Sequence, residues 1–290
     1  MPNILDIRRR IRSVKNTQQI TRAMKMVAAA RLRRAVERVV NARPYANQLR
    51  AMIRSVAART AERSHPLLAT RPVEKVLLVL VTADRGLCGA FNSNLIRAAQ
   101  TYLAEHRTLE VSLLCVGRKG RDFFRKRGAA ITAEYVNIFA GLGYAQAQEI
   151  AERIRELYAS EAVDAVDVIY NEYKSAMVQR LTVERFLPIA PIEPAATAPA
   201  SGSAPLVDYI YEQPPEELFK ALLYRDADVE IYRALIESAA AEFAAKMTAM
   251  GAATENAAEM IDHLTLTMNR IRQAAITKEI IEIVSGAASV

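Results

Sequence analysis

The sequence predicts an α/β domain inserted between two long helices, which lie at the two ends of the chain and pair as an antiparallel coiled coil. Two observations support this fold class. Apolar residues recur with heptad spacing near both ends, as they do in coiled coils. Between those segments, short apolar runs alternate with helical stretches, as in α/β domains. We therefore divide the chain into a helix over 1–60, an α/β domain over 74–190, a linker over 191–213 and a helix over 214–290.

The first helix is predicted from a heptad that runs from residue 4 to residue 56. Thirteen of its sixteen a and d positions are apolar, and the three polar ones are consecutive: Gln18, Thr21 and Lys25. This polar gap has to face something other than an apolar seam. Pro44 would either kink the helix or end it near Arg43, because proline lacks an amide hydrogen. The heptad keeps its phase beyond Pro44, so a kink is the preferred interpretation.

The middle segment has the pattern of a parallel sheet covered by helices. Apolar runs typical of strands buried on both faces occupy Val76–Thr82, Val111–Val116 and Val166–Tyr170. Helices are predicted at 95–104, through 123–124 and at 144–158, the first of them capped by Asn92 or Ser93. Residues 177–186 alternate as an edge strand does. This order indicates a Rossmann-like α/β domain with right-handed crossovers.

The second helix is predicted from a proline-free stretch that follows a low-complexity segment. Residues 193–205 are rich in Ala, Pro and Ser, which predicts a mobile linker. From residue 216 to residue 284 there is no proline, and a second heptad fits from Leu222 to Ile281, with Val229 and Ile236 at a positions. About 70 helical residues at about 1.5 Å each make a rod on the order of 100 Å. A small domain is narrower than that, so this helix is expected to protrude.

Charge is distributed unevenly along the chain. The net charge is +7, but residues 1–60 alone carry +13 and residues 216–290 carry −5. A basic arm of this kind serves nucleic acid, a membrane surface or an acidic partner. The acidic second helix could be part of that partner. Aromatic residues do not interleave with the basic ones, which argues against a groove for single-stranded nucleic acid.

Candidate chemical sites are incomplete. Asp84–Asn92 and Gly117–Gly120 each follow a predicted strand, where phosphate-binding turns occur, but neither contains a complete glycine-rich motif. Cys88 has no evident histidine partner, and the chain has no CxxC motif, so neither a catalytic cysteine nor a zinc site is predicted. No apolar run is long enough to span a membrane, and the N-terminus lacks the pattern of a signal peptide.

Two functional classes remain open at this point. An α/β enzyme with a coiled-coil appendage would need a complete phosphate or acid/base motif. A coiled-coil nucleic-acid binder could use the basic arm, and salt-dependent retention on DNA would support it.

Four stretches resemble the gamma subunits of F-type ATP synthases over essentially the whole chain. They are Ile11–Ala30, Arg43–Ala46, Thr82–Gly89 and Arg272–Ala288. The resemblance implies a rotor shaft that is not itself an enzyme and that has no catalytic residue, cofactor or metal of its own. It implies that the paired helices run along the axis of the alpha–beta hexamer, and that the insert lies beside the epsilon subunit and above the membrane c-ring. Proton flow would turn the ring and the shaft together.

The resemblance also implies particular contacts. Lys15, Arg22 and Lys25 are expected to meet the acidic lever segment of the beta subunit, and Arg272 and Gln273 to form a polar catch against it. The apolar end of the chain, residues 280–290, would sit in a bearing. The expected location is the cytoplasmic side of a bacterial inner membrane, peripheral through the c-ring, with no nucleic-acid partner.

Overall fold

The computed structural model describes residues 4–57, 65–189 and 214–287. The predicted linker over 191–213 lies outside the described residues. The chain forms two compact units: Met1–Ala30 with Lys246–Val290, and Arg31–Ala245. The regular elements, in chain order, are α1 (Ile4–Ala57), β1 (Lys75–Val81), α2 (Phe91–Glu105), β2 (Glu110–Val116), α3 (Arg118–Arg125), β3 (Ile131–Tyr135), α4 (Tyr144–Ala159), β4 (Ala165–Tyr173), β5 (Gln179–Leu187) and α5 (Pro215–Ala287).

Helix α1 follows the predicted heptad. Its buried residues up to position 56 occupy a or d positions, with the exception of Ser55: Ile7, Thr21, Ala28, Leu32, Ala35, Val39, Ala46, Leu49, Ile53 and Val56. Pro44 lies inside the helix, which continues to Ala57, so an end near Arg43 is the wrong alternative. The proline ring is exposed, on the side of the helix away from the buried seam.

Helices α1 and α5 run antiparallel within each unit. In the first unit Thr21 contacts Thr254, and Lys25, further along α1, lies against Gly251, earlier in α5. In the second unit Arg31 stacks on Phe243, whereas Arg50, further along α1, binds Glu230, earlier in α5. Partner numbers therefore fall along one helix as they rise along the other. The pairing agrees with the fold class that the two heptads predict.

Between residues 227 and 244, helix α5 is buried on more faces than a single coiled-coil seam requires. Val229 and Ile236 occupy predicted heptad positions, but Asp228, Glu237 and Glu242 are buried as well. Ala241 belongs to the core beneath the sheet, which shows that this stretch packs on the α/β domain. Its charged residues are consequently enclosed rather than solvated.

The sheet has five strands in the order β3-β2-β1-β4-β5. Strands β1 to β4 pair in parallel, and β5 lies at one edge, as the alternating pattern over 177–186 predicts. Its antiparallel pairing with β4 was not predicted. Residues 76–81 of the central strand β1 are fully buried. Strand β3 was not predicted, because its five residues alternate between half-buried and exposed and lack a continuous apolar run.

The predicted cap of helix α2 is wrong. The residue at the cap position is Ala90, and no side chain caps the helix. Asn92 lies inside the first turn instead, and its Oδ1 accepts a hydrogen bond of 2.9 Å from the amide of Ala83. Ser93 donates to the carbonyl of Ala90. Both side chains thus hold the loop between β1 and α2 in place.

Candidate functional site

The cations that the sequence singles out on α1 share one exposed stripe. Lys15, Arg22 and Lys25 are spaced by seven and three residues, which places them on neighbouring positions of one helix face. All three residues are exposed. Within the part of the chain that the structure describes, none of the three forms an ion pair.

The polar gap in the heptad is filled within the first unit. Thr21 is buried, and its Oγ1 lies 2.8 Å from Oγ1 of Thr254 on α5. Each hydroxyl is also within hydrogen-bond distance of a carbonyl in its own helix, that of Gln18 for Thr21 and that of Met250 for Thr254. The two helices therefore meet here through a hydrogen bond rather than an apolar contact.

Lys25 crosses helix α5 at a glycine. A Cβ atom on Gly251 would lie 3.5 Å from Nζ and 3.6 Å from Cε of Lys25. The lysine side chain therefore lies along α5 at ordinary van der Waals distance, while the residue as a whole stays exposed. This contact is a feature that the sequence pattern alone does not indicate.

Arg272 and Gln273 are exposed near the end of α5. Beyond them, the last turns of the helix expose five large apolar side chains: Ile276, Ile280, Ile281, Ile283 and Val284. Isolated exposed apolar residues are ordinary, but a contiguous group at a helix end marks a contact surface. The structure contains no partner chain, so the roles of Arg272 and Gln273 remain predictions.

In the turn that follows β1, the carboxylate of Asp84 binds the backbone amides that a phosphate would otherwise bind. Oδ1 of Asp84 accepts hydrogen bonds from the amide of Arg118, at 3.1 Å, and from the amide of Asn137, at 2.8 Å. Arg118 is the first residue of α3, where a bound phosphate would otherwise meet free amides. The next amide, that of Lys119, donates to the carbonyl of Ala83 at 3.1 Å, and Thr82 Oγ1 accepts from the amide of Gly120 at 2.9 Å. The chain's own side chains therefore occupy the anion position.

Gly117 and Gly120 allow α3 to approach β1. Gly117 has a φ of +94°, and a Cβ there would lie 2.0 Å from the carbonyl oxygen of Thr82. A Cβ on Gly120 would lie 2.9 Å from Oγ1 of the same threonine. These glycines serve close packing of strand and helix, the structural interpretation of the Gly117–Gly120 motif.

The two cysteines are buried. Burial raises the pKa of the Cys115 thiol to about 12, so it stays protonated and unreactive at neutral pH. The amide of the Asn92 side chain lies 3.1 Å from the sulfur of Cys88. Over residues 4–57, 65–189 and 214–287 there is no group of three His, Cys, Asp or Glu side chains arranged to hold a metal ion. Nor does any helix in these ranges have the length and apolar character needed to cross a membrane.

Sequence reasoning missed the polar contacts that join α5 to the rest of the second unit. Asp228, only 5% exposed, binds Arg155 of α4 and accepts from the hydroxyl of Tyr144 at 3.2 Å. Arg233 pairs with Glu230 at 2.8 Å and with Glu184 of β5 at 3.1 Å. The only available signal was the presence of charged residues next to apolar heptad positions, which also occurs in solvated helices.

Comparison with known proteins shows which family has this architecture. The family model described as ATP synthase matches residues 3–290. The ATP synthase gamma chain of Solibacter usitatus is 53% identical over 293 residues, covering 100% of this chain and 99% of the relative. That of Heliobacterium modesticaldum is 48% identical over 290 residues, with coverage of 100% and 99%.

Solved structures agree on the fold. The central stalk and c-ring structure of the Tetrahymena thermophila mitochondrial ATP synthase contains a chain with a TM-score of 0.61 and 26% identity, covering 81% of this chain and 99% of that one. A chain in the Euglena gracilis mitochondrial ATP synthase, in rotational state 3, has a TM-score of 0.68 at 20% identity, with coverage of 99% and 94%.

Two paired terminal helices with an inserted α/β domain define a stalk-type subunit. Exposed charge lies on the helices, and the turn after β1 is occupied by the chain's own side chains rather than left open for a ligand. The full-length match to the family model and the sequence identity to the bacterial relatives identify the family within this class. The chain belongs to the ATP synthase gamma chain family, the central-stalk subunits of F-type ATP synthases.

Proposed function

We propose that this chain is the rotating shaft of an F-type ATP synthase and performs no chemistry itself. Proton flow through a membrane c-ring turns the shaft, and the shaft forces the catalytic sites of an alpha–beta hexamer through successive states. Coupling of this kind requires contacts that differ between the states of the partner. The proposal rests on one observation above all: the exposed cations of α1 lie where the two helices are joined by a polar contact, Thr21 with Thr254.

The helices over residues 1–60 and 214–290 form the shaft, and the domain over 74–190 forms its lower, globular part beside an epsilon subunit and above the c-ring. Lys15, Arg22 and Lys25 contact an acidic segment of the beta subunit, and Arg272 and Gln273 contact beta near the end of α5. The exposed apolar side chains at the end of α5 support the bearing contact. The complex lies at the cytoplasmic side of a bacterial inner membrane, to which this chain is peripheral.

The test separates coupling from folding. Replacing Lys15, Arg22 and Lys25 by Gln should lower the number of protons pumped per ATP hydrolysed in the assembled complex, while the thermal melt of the chain changes little. Exposed ion pairs contribute only about 0–1 kcal/mol to stability. The control variant replaces Arg97, Arg107 and Lys126, which are equally exposed but lie in the α/β domain. Normal pumping by the α1 variant in assembled complexes would refute the proposed role.

The absence of catalysis is tested on the purified full chain. Asp84 holds the amides at the start of α3, and its negative charge would repel a nucleotide phosphate. We expect no ATP hydrolysis and a flat calorimetric titration with Mg–ATP. Saturable micromolar binding that disappears when Gly86 or Gly89 is replaced by a bulky residue would contradict the proposal, because it would make this turn a nucleotide sensor.

A further inference from the structure

A cavity of about 620 Å³ lies within the second unit, between α1, the start of α4, the end of β4 and helix α5. Its volume falls within the range of about 300–1,000 Å³ that is usual for small-molecule sites. The rotor function proposed above does not use it. Its floor is apolar and is formed by Val39, Val229 and Ile236, each no more than 5% exposed.

Four tyrosines line this cavity: Tyr45, Tyr144, Tyr173 and Tyr232. The rings of Tyr144 and Tyr232 meet edge to face, with centroids 5.8 Å apart, which holds both rings in fixed positions. Aromatic walls over an apolar floor favour a flat, aromatic occupant, because such rings stack on one another or meet edge to face.

Two buried polar atoms belong to side chains that line the cavity. Within the described residues, Oε2 of Glu237 and Nε of Arg233 have no hydrogen-bond partner. Glu237 is only 3% exposed. A buried polar group without a partner destabilises the protein, and such groups in native proteins usually bind a water or a ligand. One is an acceptor and the other a donor, so the complementary ligand presents an N–H or O–H group beside an acceptor.

The rim of the cavity is cationic. Arg225 donates from Nε to the hydroxyl of Tyr45 at 3.1 Å, and its guanidinium lies over the ring of Tyr144, 4.6 Å from the centroid. These contacts fix the guanidinium in place before any ligand arrives. Arg43 also lines the cavity and is exposed. Two acids, Glu172 and Glu237, line it as well, which disfavours a ligand with several negative charges.

We propose that this cavity is a binding site for a flat aromatic molecule that carries one acidic group and an adjacent N–H or O–H donor. The rings occupy the space between the tyrosines, the donor bonds to Glu237, and the anion is held at the rim by Arg43 and Arg225. Such a ligand would join α1 to α5 and stiffen the second unit.

The probe for this proposal is anilinonaphthalene sulfonate, which has two aromatic groups, an N–H donor and a single sulfonate. Titrated into the purified full chain, it should give a saturable, blue-shifted fluorescence increase. Replacing both Arg43 and Arg225 by Gln should weaken binding about tenfold or more, since charge-assisted contacts are lost. The matched control is Arg34→Gln, an exposed arginine of α1 outside the cavity.

A second variant tests whether binding depends on the free volume of the cavity. Ala42 lines the cavity and is half-buried, so Ala42→Trp should fill the space and abolish binding. Ala104→Trp, on the exposed face of α2, is the matched control and should bind as the parent does. Circular dichroism confirms that each variant is folded, and if Ala42→Trp is not, the arginine variant decides. Absence of saturable binding, or a signal of unchanged affinity in the folded variants, would overturn the proposal.

Discussion

The carboxyl group of Asp226 gives the sharpest pH prediction. This residue lies on α5 and lines a smaller cavity of about 230 Å³ together with Arg50, Glu184, Glu230 and Arg233. Its Oδ1 is buried without a partner among the described residues. Burial, followed by the negative charge of Glu230, raises the pKa of Asp226 from 3.8 to about 6, against the opposing effect of Arg50 and Arg233.

The direction of the pKa shift determines how the stability of the chain depends on pH. The folded state holds the proton more tightly than the unfolded state, so the contribution of Asp226 to stability is complete below about pH 4. It is lost as the pH rises to about 6, because the buried carboxylate then ionises. A shift of roughly two units corresponds to about 3 kcal/mol. We expect Asp226→Asn to raise the free energy of unfolding by about 1–3 kcal/mol at pH 8 and to change it little at pH 4.

The assay is urea unfolding of the full chain, followed by circular dichroism at several pH values between 4 and 8. Glu217→Gln, an exposed residue at the start of the same helix, serves as the control and should show no such trend. A destabilisation by Asp226→Asn that is the same at every pH would refute the reasoning. It would mean that the carboxylate is ionised in the folded protein and paired with Arg50 or Arg233.

Three further predictions follow from contacts described above. Asp84→Ala should speed hydrogen exchange at the amides of Arg118 and Asn137 and lower stability by about 1–2 kcal/mol, as loss of a helix cap does; protection that is unchanged would show that the carboxylate is not their acceptor. Thr82→Val should destabilise the chain by about 1–3 kcal/mol, because it leaves the amide of Gly120 without its buried acceptor, whereas Thr82→Ser should lose clearly less; equal losses in chemical unfolding would count against this bond. Asp228→Asn should weaken the attachment of α4 to α5, seen as faster exchange in α4, and a slower or unchanged rate would contradict it.

The sequence predicts the elements of this fold well, because heptads and buried strands leave strong periodic signals. Apart from Ser55, every buried residue of α1 up to position 56 falls on a predicted heptad position. The sheet was predicted without β3, whose alternation is too short to be recognised, and the cap of α2 was placed on residues that support a loop instead. The error at the cap arises because Asn and Ser side chains bond equally well to several backbone groups.

The functional features likewise divide into those that the sequence predicts and those that it does not. The exposure of Lys15, Arg22, Arg272 and Gln273 agrees with their expected positions on the outside of the helices, although their contacts with a beta subunit remain predictions. The enclosed charges of α5 and the cavity beside them were not predictable. Heptad patterns describe one seam, whereas residues 227–244 are covered from several sides, and that depends on how the α/β domain packs.

The hydrogen bond between Thr21 and Thr254 bears on the alignment of the two helices along their length. Their seam is rich in alanine, so sliding by one heptad would exchange one small apolar contact for another. Such a slip would place Thr21 opposite Met247 or Ile261 and lose this hydrogen bond, worth about 0.5–1.5 kcal/mol. This polar contact thus biases the helix pair toward one longitudinal register, which a shaft under load has to keep.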